Sequence, residues 1–146
     1  MDRSYLTPEE IADYTIGTGV KKANRTEIQQ FMLAILAGAF IAMGAIASNT
    51  AIHDISNPGI SKLVAGAVFS VGLLMVVIAG AELFTGNCLL SLALLEKKIS
   101  LYQMIKNLFL VYLGNFIGAH YQSASCYLRQ YHRRLFNRRR HLLVYF

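Results

Sequence analysis

The sequence has no tryptophan, two cysteines and two prolines, and only 15% of its 146 residues are charged. Two cysteines do not make the disulfide framework of a small secreted domain, so Cys88 and Cys126 are predicted to be free thiols. Paired carboxylates, metal-ligand spacings and a glycine-rich phosphate loop are also missing from the pattern. We therefore expect no enzyme, no metal site and no cofactor.

Apolar residues dominate instead: 55% of the chain is hydrophobic, and the mean hydropathy is +0.43. This composition is typical of a membrane protein rather than a cytosolic one. The net charge of +6 comes from the end of the chain, because residues 1–119 hold eight basic and eight acidic residues, whereas residues 120–146 hold six arginines and no acid. Aromatic residues among these arginines could stack on bases, but no recognition fold surrounds them, and nucleic-acid binding is disfavoured.

Residues 1–27 are polar and lack the apolar region of a signal peptide, so insertion is predicted to use the first membrane span. The stretch Thr7-Pro8-Glu9-Glu10 predicts a helix start, with a threonine cap, a proline at the first helical position and a capping-box glutamate. Apolar residues on one face predict a short amphipathic helix on the membrane surface. A frayed polar tail is the alternative.

Three apolar segments are candidate membrane spans. The first covers about residues 28–52, where 22 residues from 31 to 52 carry no charge, enough to cross a bilayer core of about 30 Å. The third covers residues 99–119. Basic residues just before the first span predict a cytoplasmic N-terminus. Glycines at helical spacing predict close helix packing, and the candidate packing residues are Gly38, Gly114 and Gly118.

The second apolar segment, residues 63–95, is too long for one span. Its 33 residues contain one charge, Glu82, and as one helix they would extend about 50 Å. The segment is therefore predicted to break into a helix over residues 63–80, an irregular loop over residues 80–87 and a half helix over residues 88–95. Non-helical backbone at membrane depth survives only where protein or a water-filled cavity satisfies its polar groups.

Residues 120–146 form a basic tail that is predicted to be irregular. Three crossings would place its arginines outside, against the positive-inside rule. Two explanations stay open: a frameshift after codon 119 followed by an early stop, or a genuine short protein whose tail binds anionic lipid. Reading the nucleotide sequence in the other frames beyond codon 119 separates them, because a frameshift requires an apolar helix and a second half there.

Three strings in the same order and spacing resemble the formate/nitrite transporter family over roughly residues 5–119: "LAGAFIAMGA", "FSVGLLMVVIAGAELFTGN" and "KNLFLVYLGNFIGA". The resemblance implies an all-α membrane protein with an aquaporin-like arrangement of two inverted halves and six transmembrane helices per protomer. Five protomers assemble in the plasma (inner) membrane, each with its own pore for small monovalent anions such as formate, nitrite or hydrosulfide. This chain corresponds to the first half, three transmembrane helices with a broken second helix.

The resemblance also implies roles for individual residues. Predicted pore-lining and constriction residues are Phe69, Leu73, Leu83, Phe84 and Thr85. Predicted loop-structuring residues are Gly80, Glu82, Gly86 and Asn87. Glu82 is expected to fix the loop by accepting backbone N–H bonds, and a direct role in permeation is the weaker alternative because its charge would repel an anion. The family's pore histidine belongs to the second half, and none of His53, His120, His132 or His141 is assigned that role.

Two functions follow. The first is a subunit or truncated form of an anion channel of this family. The alternative is a non-transporting membrane protein that binds other helices, or an inactive truncated product.

Overall fold

A computed structural model describes the backbone of residues 5–144 and the side chains of residues 5–128. Within this range the chain forms helices and connecting turns, with no strand. The helices are α1 (Pro8–Ala23), α2 (Glu27–Ala51), α3 (Pro58–Ile78), α4 (Phe84–Asn87), α5 (Leu90–Leu95) and α6 (Leu101–Val144).

The start of α1 follows the predicted capping box. The Thr7 hydroxyl accepts a hydrogen bond from the Glu10 N–H at 3.3 Å, and the Glu10 carboxylate accepts one from the Thr7 N–H at 2.7 Å. These two bonds satisfy backbone donors that have no partner within the helix. One face of α1 packs on α5, where a cluster of buried residues, Leu90, Ala93 and Ile99, meets Ile16 and Val20.

Replacing Thr7 with alanine is expected to destabilise α1 by about 1 kcal/mol, because the cap hydroxyl is lost. Amide hydrogen exchange in the first turn of α1 should accelerate about fivefold. The control is Thr15→Ala in the interior of the same helix, which removes no cap. Equal exchange rates in the two variants would contradict the capping role.

Helix α2 is the centre of the fold, since α3 and α6 both pack along it. It lies antiparallel to α3: a Cβ added at Gly44 would lie 3.0 Å from the Gly72 Cα, and the Ser48 hydroxyl donates to the Ala65 carbonyl at 2.9 Å. Against α6 it lies parallel, because the contact positions rise together along both helices, from Glu27 with Lys106 to residues 35–39 with Gly118.

Of the described residues, α2 and α3 form the two helices long and apolar enough to cross a membrane. Helix α3 begins earlier than expected, at Pro58 rather than at residue 63. The Asn57 side chain accepts hydrogen bonds from the Gly59 and Ile60 N–H groups at 2.9 and 3.1 Å, so Asn57 is the N-cap of α3 and Pro58 occupies its first position.

The helical path stops after α3, close to the predicted position. Gly80 has a φ of +61°, in the left-handed region that favours glycine. The chain is non-helical over residues 79–83 and becomes helical again at Phe84. The expectation of irregular backbone up to residue 87 was therefore wrong for residues 84–87, and a turn at residues 88–89 shortens the expected half helix to α5.

The basic tail also differs from expectation, because α6 continues without a break through residue 120 to Val144. The prediction of an irregular tail was wrong for residues 120–144. Residues 120–146 contain no glycine or proline, and Arg, Leu and Gln favour helix. The side chains beyond residue 128, including the six arginines, lie outside those that the structure describes. Of the aromatic residues considered for base stacking, Tyr127 is described and exposed, whereas Tyr131 and Phe136 lie outside the described side chains.

Candidate functional site

The interrupted segment, residues 79–87, connects α3 to α5 and includes α4. Its first turn is closed by a hydrogen bond from the Ala81 N–H to the Val76 carbonyl at 3.0 Å. The segment contacts three other parts of the chain: the end of α1, the first half of α2, and α6. Polar side chains from these helices meet it from different sides.

Glu82 is fully buried, and its carboxylate is neutralised by two cations from the end of α1 and the turn that follows it. Its Oε2 atom lies 3.1 Å from the Lys22 Nζ, and its Oε1 atom accepts a hydrogen bond from the Arg25 guanidinium. Among the described residues no backbone N–H donates to this carboxylate, so the expected backbone partners are replaced by side-chain cations. Two cations face one carboxylate, and the cluster keeps one net positive charge.

The end of the interrupted segment is held by a chain of amides. The Lys22 Nζ donates to the Asn87 Oδ1 at 2.7 Å, and the Asn87 Nδ2 donates to the Asn107 Oδ1 at 2.8 Å. Asn87 and Asn107 are both buried. Gln30 ties the turn between α1 and α2 by donating to the carbonyls of Lys22 and Arg25 at 3.1 and 3.0 Å.

Three buried polar atoms in this array have no hydrogen-bond partner among the described residues: the Asn107 Nδ2 donor, the Gln30 Oε1 acceptor, and the Glu82 Oε2, which has only its ion-pair contact with Lys22. Burying an unpaired polar atom is costly, and such atoms commonly bond to ordered water. Gln30 belongs to α2 and Asn107 to α6.

The predicted constriction residues occupy different environments. Leu83 is half-buried against a cluster of Ala37, Val76 and Ala81. Phe84 is half-buried and packs edge-on to Tyr112, with ring centroids 5.7 Å apart and an angle of 72° between the rings. Thr85 is exposed. The start of the interrupted segment, at Ala81 and Glu82, is therefore buried, whereas Thr85 lies at its surface.

The predicted pore-lining pair on α3 is exposed, with Phe69 at 41% and Leu73 at 47% of their full accessible surface. Four residues separate the two, so they lie on one face of α3. One turn further along, Val76 is buried against Leu83. The face of α3 that is exposed at Phe69 and Leu73 therefore continues to Val76, which packs against the start of the interrupted segment.

A cleft of about 290 Å³ separates α1 from the interrupted segment. Its lining includes Tyr14, Thr15, Thr18, Lys22 and Gly86. The Lys22 side chain is 23% exposed, so a cation bonded to the buried array also contacts this open space. Among residues 5–128, no cluster of three or more His, Cys, Asp or Glu side chains could hold a metal ion.

The sequence pattern singled out Glu82 and Asn87 as candidates but not the residues that contact them. Lys22 and Arg25 were used only to predict topology, and Asn107 and Asn115 were not singled out. A usable signal was present, because the two asparagines lie eight residues apart in an apolar segment. That separation places both polar side chains near one face of a helix.

Comparison with known proteins links this architecture to membrane transport. The sequence profile of a family described as "Formate/nitrite transporter" matches residues 9–138. The match continues beyond Ala119, where the likeness was expected to end.

Three relatives illustrate the range of similarity. The "Formate channel FocA" of Haemophilus influenzae is 45% identical over 115 residues, which are 77% of this chain and 40% of the relative. The "Formate channel BtFdhC" of Bacillus thuringiensis is 39% identical over 119 residues, 80% of this chain and 46% of the relative. The "Formate channel FocA" of Escherichia coli K12 is 38% identical over 116 residues, which are 78% of this chain and 41% of the relative. The chain spans less than half the length of these relatives.

Proposed function

Because this chain belongs to the formate/nitrite transporter family, as its motifs indicated, we propose that it contributes one half of a channel for small monovalent anions. Formate is the first candidate, since several relatives bear the name formate channel. Nitrite and hydrosulfide are the other candidates. The chain itself is an all-helical membrane protein.

In this proposal α2, α3 with its continuation through α5, and the first part of α6 form three transmembrane elements. The second of them is broken at the interrupted segment. The antiparallel packing of α2 on α3 and the parallel packing of α2 with α6 support alternating crossings. Residues 28–119 are then the transmembrane half-domain, and residues 1–27 lie on the cytoplasmic side of the plasma membrane.

The observation that carries the proposal is the buried ion cluster at Glu82, in the same segment as the exposed Thr85. Lys22 and Arg25 neutralise Glu82, so the carboxylate does not repel an anion and instead anchors the segment. The remaining positive charge favours an anion near the segment. Phe69, Leu73, Leu83 and Phe84 would supply the apolar wall that bars hydrated ions, and the Thr85 hydroxyl would donate to a dehydrated anion.

A complete pore of this type needs a second broken helix, which we propose is supplied by another half of the same kind, within a pentameric assembly like that expected for the family. The alternative is a non-transporting protein that binds other membrane helices. The exposure of α3 favours the helix-binding alternative, because only 11% of its most apolar 18-residue stretch is buried inside this chain.

Formate uptake into proteoliposomes tests the proposal. The purified chain is expected to exceed empty liposomes, and Thr85→Val is expected to lower the flux about tenfold, because a hydrogen bond to a charged group contributes roughly 1.5–3 kcal/mol. The matched control is Thr50→Val, whose hydroxyl bonds to the Ile46 carbonyl at the far end of α2. Flux equal to that of empty liposomes would remove the channel function from this chain and leave the helix-binding alternative.

A further inference from the structure

Helices α2 and α6 approach each other closely on both sides of Asn115. A Cβ added at Gly38 would overlap the Asn115 carbonyl, and one added at Gly118 would overlap the Ile35 carbonyl. A Cβ added at Gly114 would lie 3.0 Å from the Phe31 carbonyl oxygen. The three small residues therefore bring the two backbones into contact and place Asn115 between α2 and the interrupted segment.

The side-chain amide of Asn115 bonds to three separate backbone groups. Its Oδ1 accepts from the Phe84 N–H at 2.9 Å, and its Nδ2 donates to the Ala34 carbonyl at 2.8 Å and the Glu82 carbonyl at 2.9 Å. The partners fix the amide orientation, because an N–H requires the oxygen and two carbonyls require the nitrogen.

These bonds hold the start of α4, which has no side-chain cap of its own. Phe84 is the first residue of α4, and the N–H groups of a first helical turn have no acceptor within the helix. No side chain of the preceding residue caps α4. Asn115 therefore supplies the acceptor that a cap would supply, and its two donors connect Glu82 to α2.

We propose that Asn115 is the positioning residue of the constriction, setting the depth and orientation of Leu83 and Phe84. This inference rests on the proposed function only in that Leu83 and Phe84 are taken to form a constriction. Asn115 acts on the backbone, whereas Lys22 and Arg25 act on the Glu82 side chain. The glycines on α2 and α6 serve this placement as well as packing, because Asn115 cannot contact Ala34 and Phe84 together if the helices separate.

A single indole at the constriction reports its position, because the chain has no tryptophan. In a Phe84→Trp background, Asn115→Asp keeps an acceptor for residue 84 but loses both donors, so an oxygen faces two carbonyls. We expect red-shifted indole emission and an acrylamide quenching constant at least about twofold higher at a temperature where the protein is folded. The matched control is Asn49→Asp, the same change at an exposed position of α2, which should leave both signals unchanged.

A second measurement needs no substitution. In the unsubstituted chain the Phe84 amide hydrogen is expected to exchange at least about tenfold more slowly than an unbonded amide, because its acceptor is Asn115. Rapid exchange at Phe84 would overturn the proposal even if Asn115→Asp does not fold. Emission and quenching in Asn115→Asp equal to those in Asn49→Asp would overturn it as well.

The test of Asn115 can be distinguished from the test of the channel function. A loss of stability without a role in positioning would lower the melting temperature and leave the emission of the folded state unchanged. Normal indole signals with no formate flux in any variant would refute the channel proposal, whereas a shifted indole with no flux would leave the role of Asn115 intact.

Discussion

Replacing Glu82 with glutamine is expected to lower the free energy of unfolding by about 3 kcal/mol. Breaking a buried ion pair typically costs about 3–5 kcal/mol, because the remaining partner is left as an uncompensated charge. Glu82 is fully buried, and its loss leaves both Lys22 and Arg25 without their carboxylate. The lower end of the range applies, since these cations are 23% and 35% exposed and regain some hydration. Unfolding in mixed detergent micelles measures the difference.

The control is Glu27→Gln, which breaks the ion pair between Glu27 and Lys106. That carboxylate is 64% exposed, and an exposed pair is worth about 1 kcal/mol or less. Adding Lys22→Met to Glu82→Gln should recover part of the lost stability, because it removes one of the stranded cations. Losses of equal size in the Glu82 and Glu27 variants would show that the buried cluster does not anchor the interrupted segment.

The break after α3 could be predicted from length and local chemistry. A run of 33 residues with one charge cannot be a single membrane-crossing helix, and Gly80 marks the place where the backbone turns. The partners that shape the break could not be predicted in this way. Lys22 and Asn115 are separated from Glu82 by 60 and 33 residues in the sequence, so only the packing of α1, α2 and α6 brings them together.

Glu82 has different partners from those expected, and its role in shaping the loop stays a prediction. The sequence indicated a residue that shapes the loop, and the structure shows that it is buried. The basic residues before α2 were interpreted only by their charge relative to the membrane. The same side chains serve the ion cluster, because the turn between α1 and α2 lies beside the interrupted segment. The positive-inside rule predicts only on which side of the membrane a segment lies and does not predict such contacts.

For the tail, backbone propensity predicts the structure better than charge distribution does. Residues 120–146 are rich in arginine and contain no transmembrane run, and they were expected to be irregular. Continuation of α6 depends on backbone propensity, and no glycine or proline interrupts residues 120–144. Charge distribution predicts which surroundings a helix prefers, whereas helix continuation depends mainly on residues that permit the backbone geometry. The frameshift hypothesis stays a prediction for the nucleotide sequence to test.

Replacing Gly38 with alanine is expected to cost about 3 kcal/mol or more, at the upper end for overpacking. Gly38 is buried, and the added Cβ would overlap the backbone of Asn115 rather than a movable side chain. Rotamer changes cannot relieve such an overlap, so α2 and α6 must separate along their contact. Separation also weakens packing in a membrane, where close approach of small residues replaces the hydrophobic effect.

The matched control is Gly66→Ala on α3, where an added Cβ meets nothing within 4 Å. Alanine favours helix over glycine by about 0.5–1 kcal/mol, so this variant should be unchanged or slightly more stable. Unfolding of both variants in the same micelles gives the comparison. Similar stabilities would mean that α2 and α6 do not touch at Gly38, and the placement of Asn115 against the interrupted segment would be lost with that contact. A large difference confined to Gly38 would tie the small residue at this position to the contact between α2 and α6 that holds Asn115 against the interrupted segment.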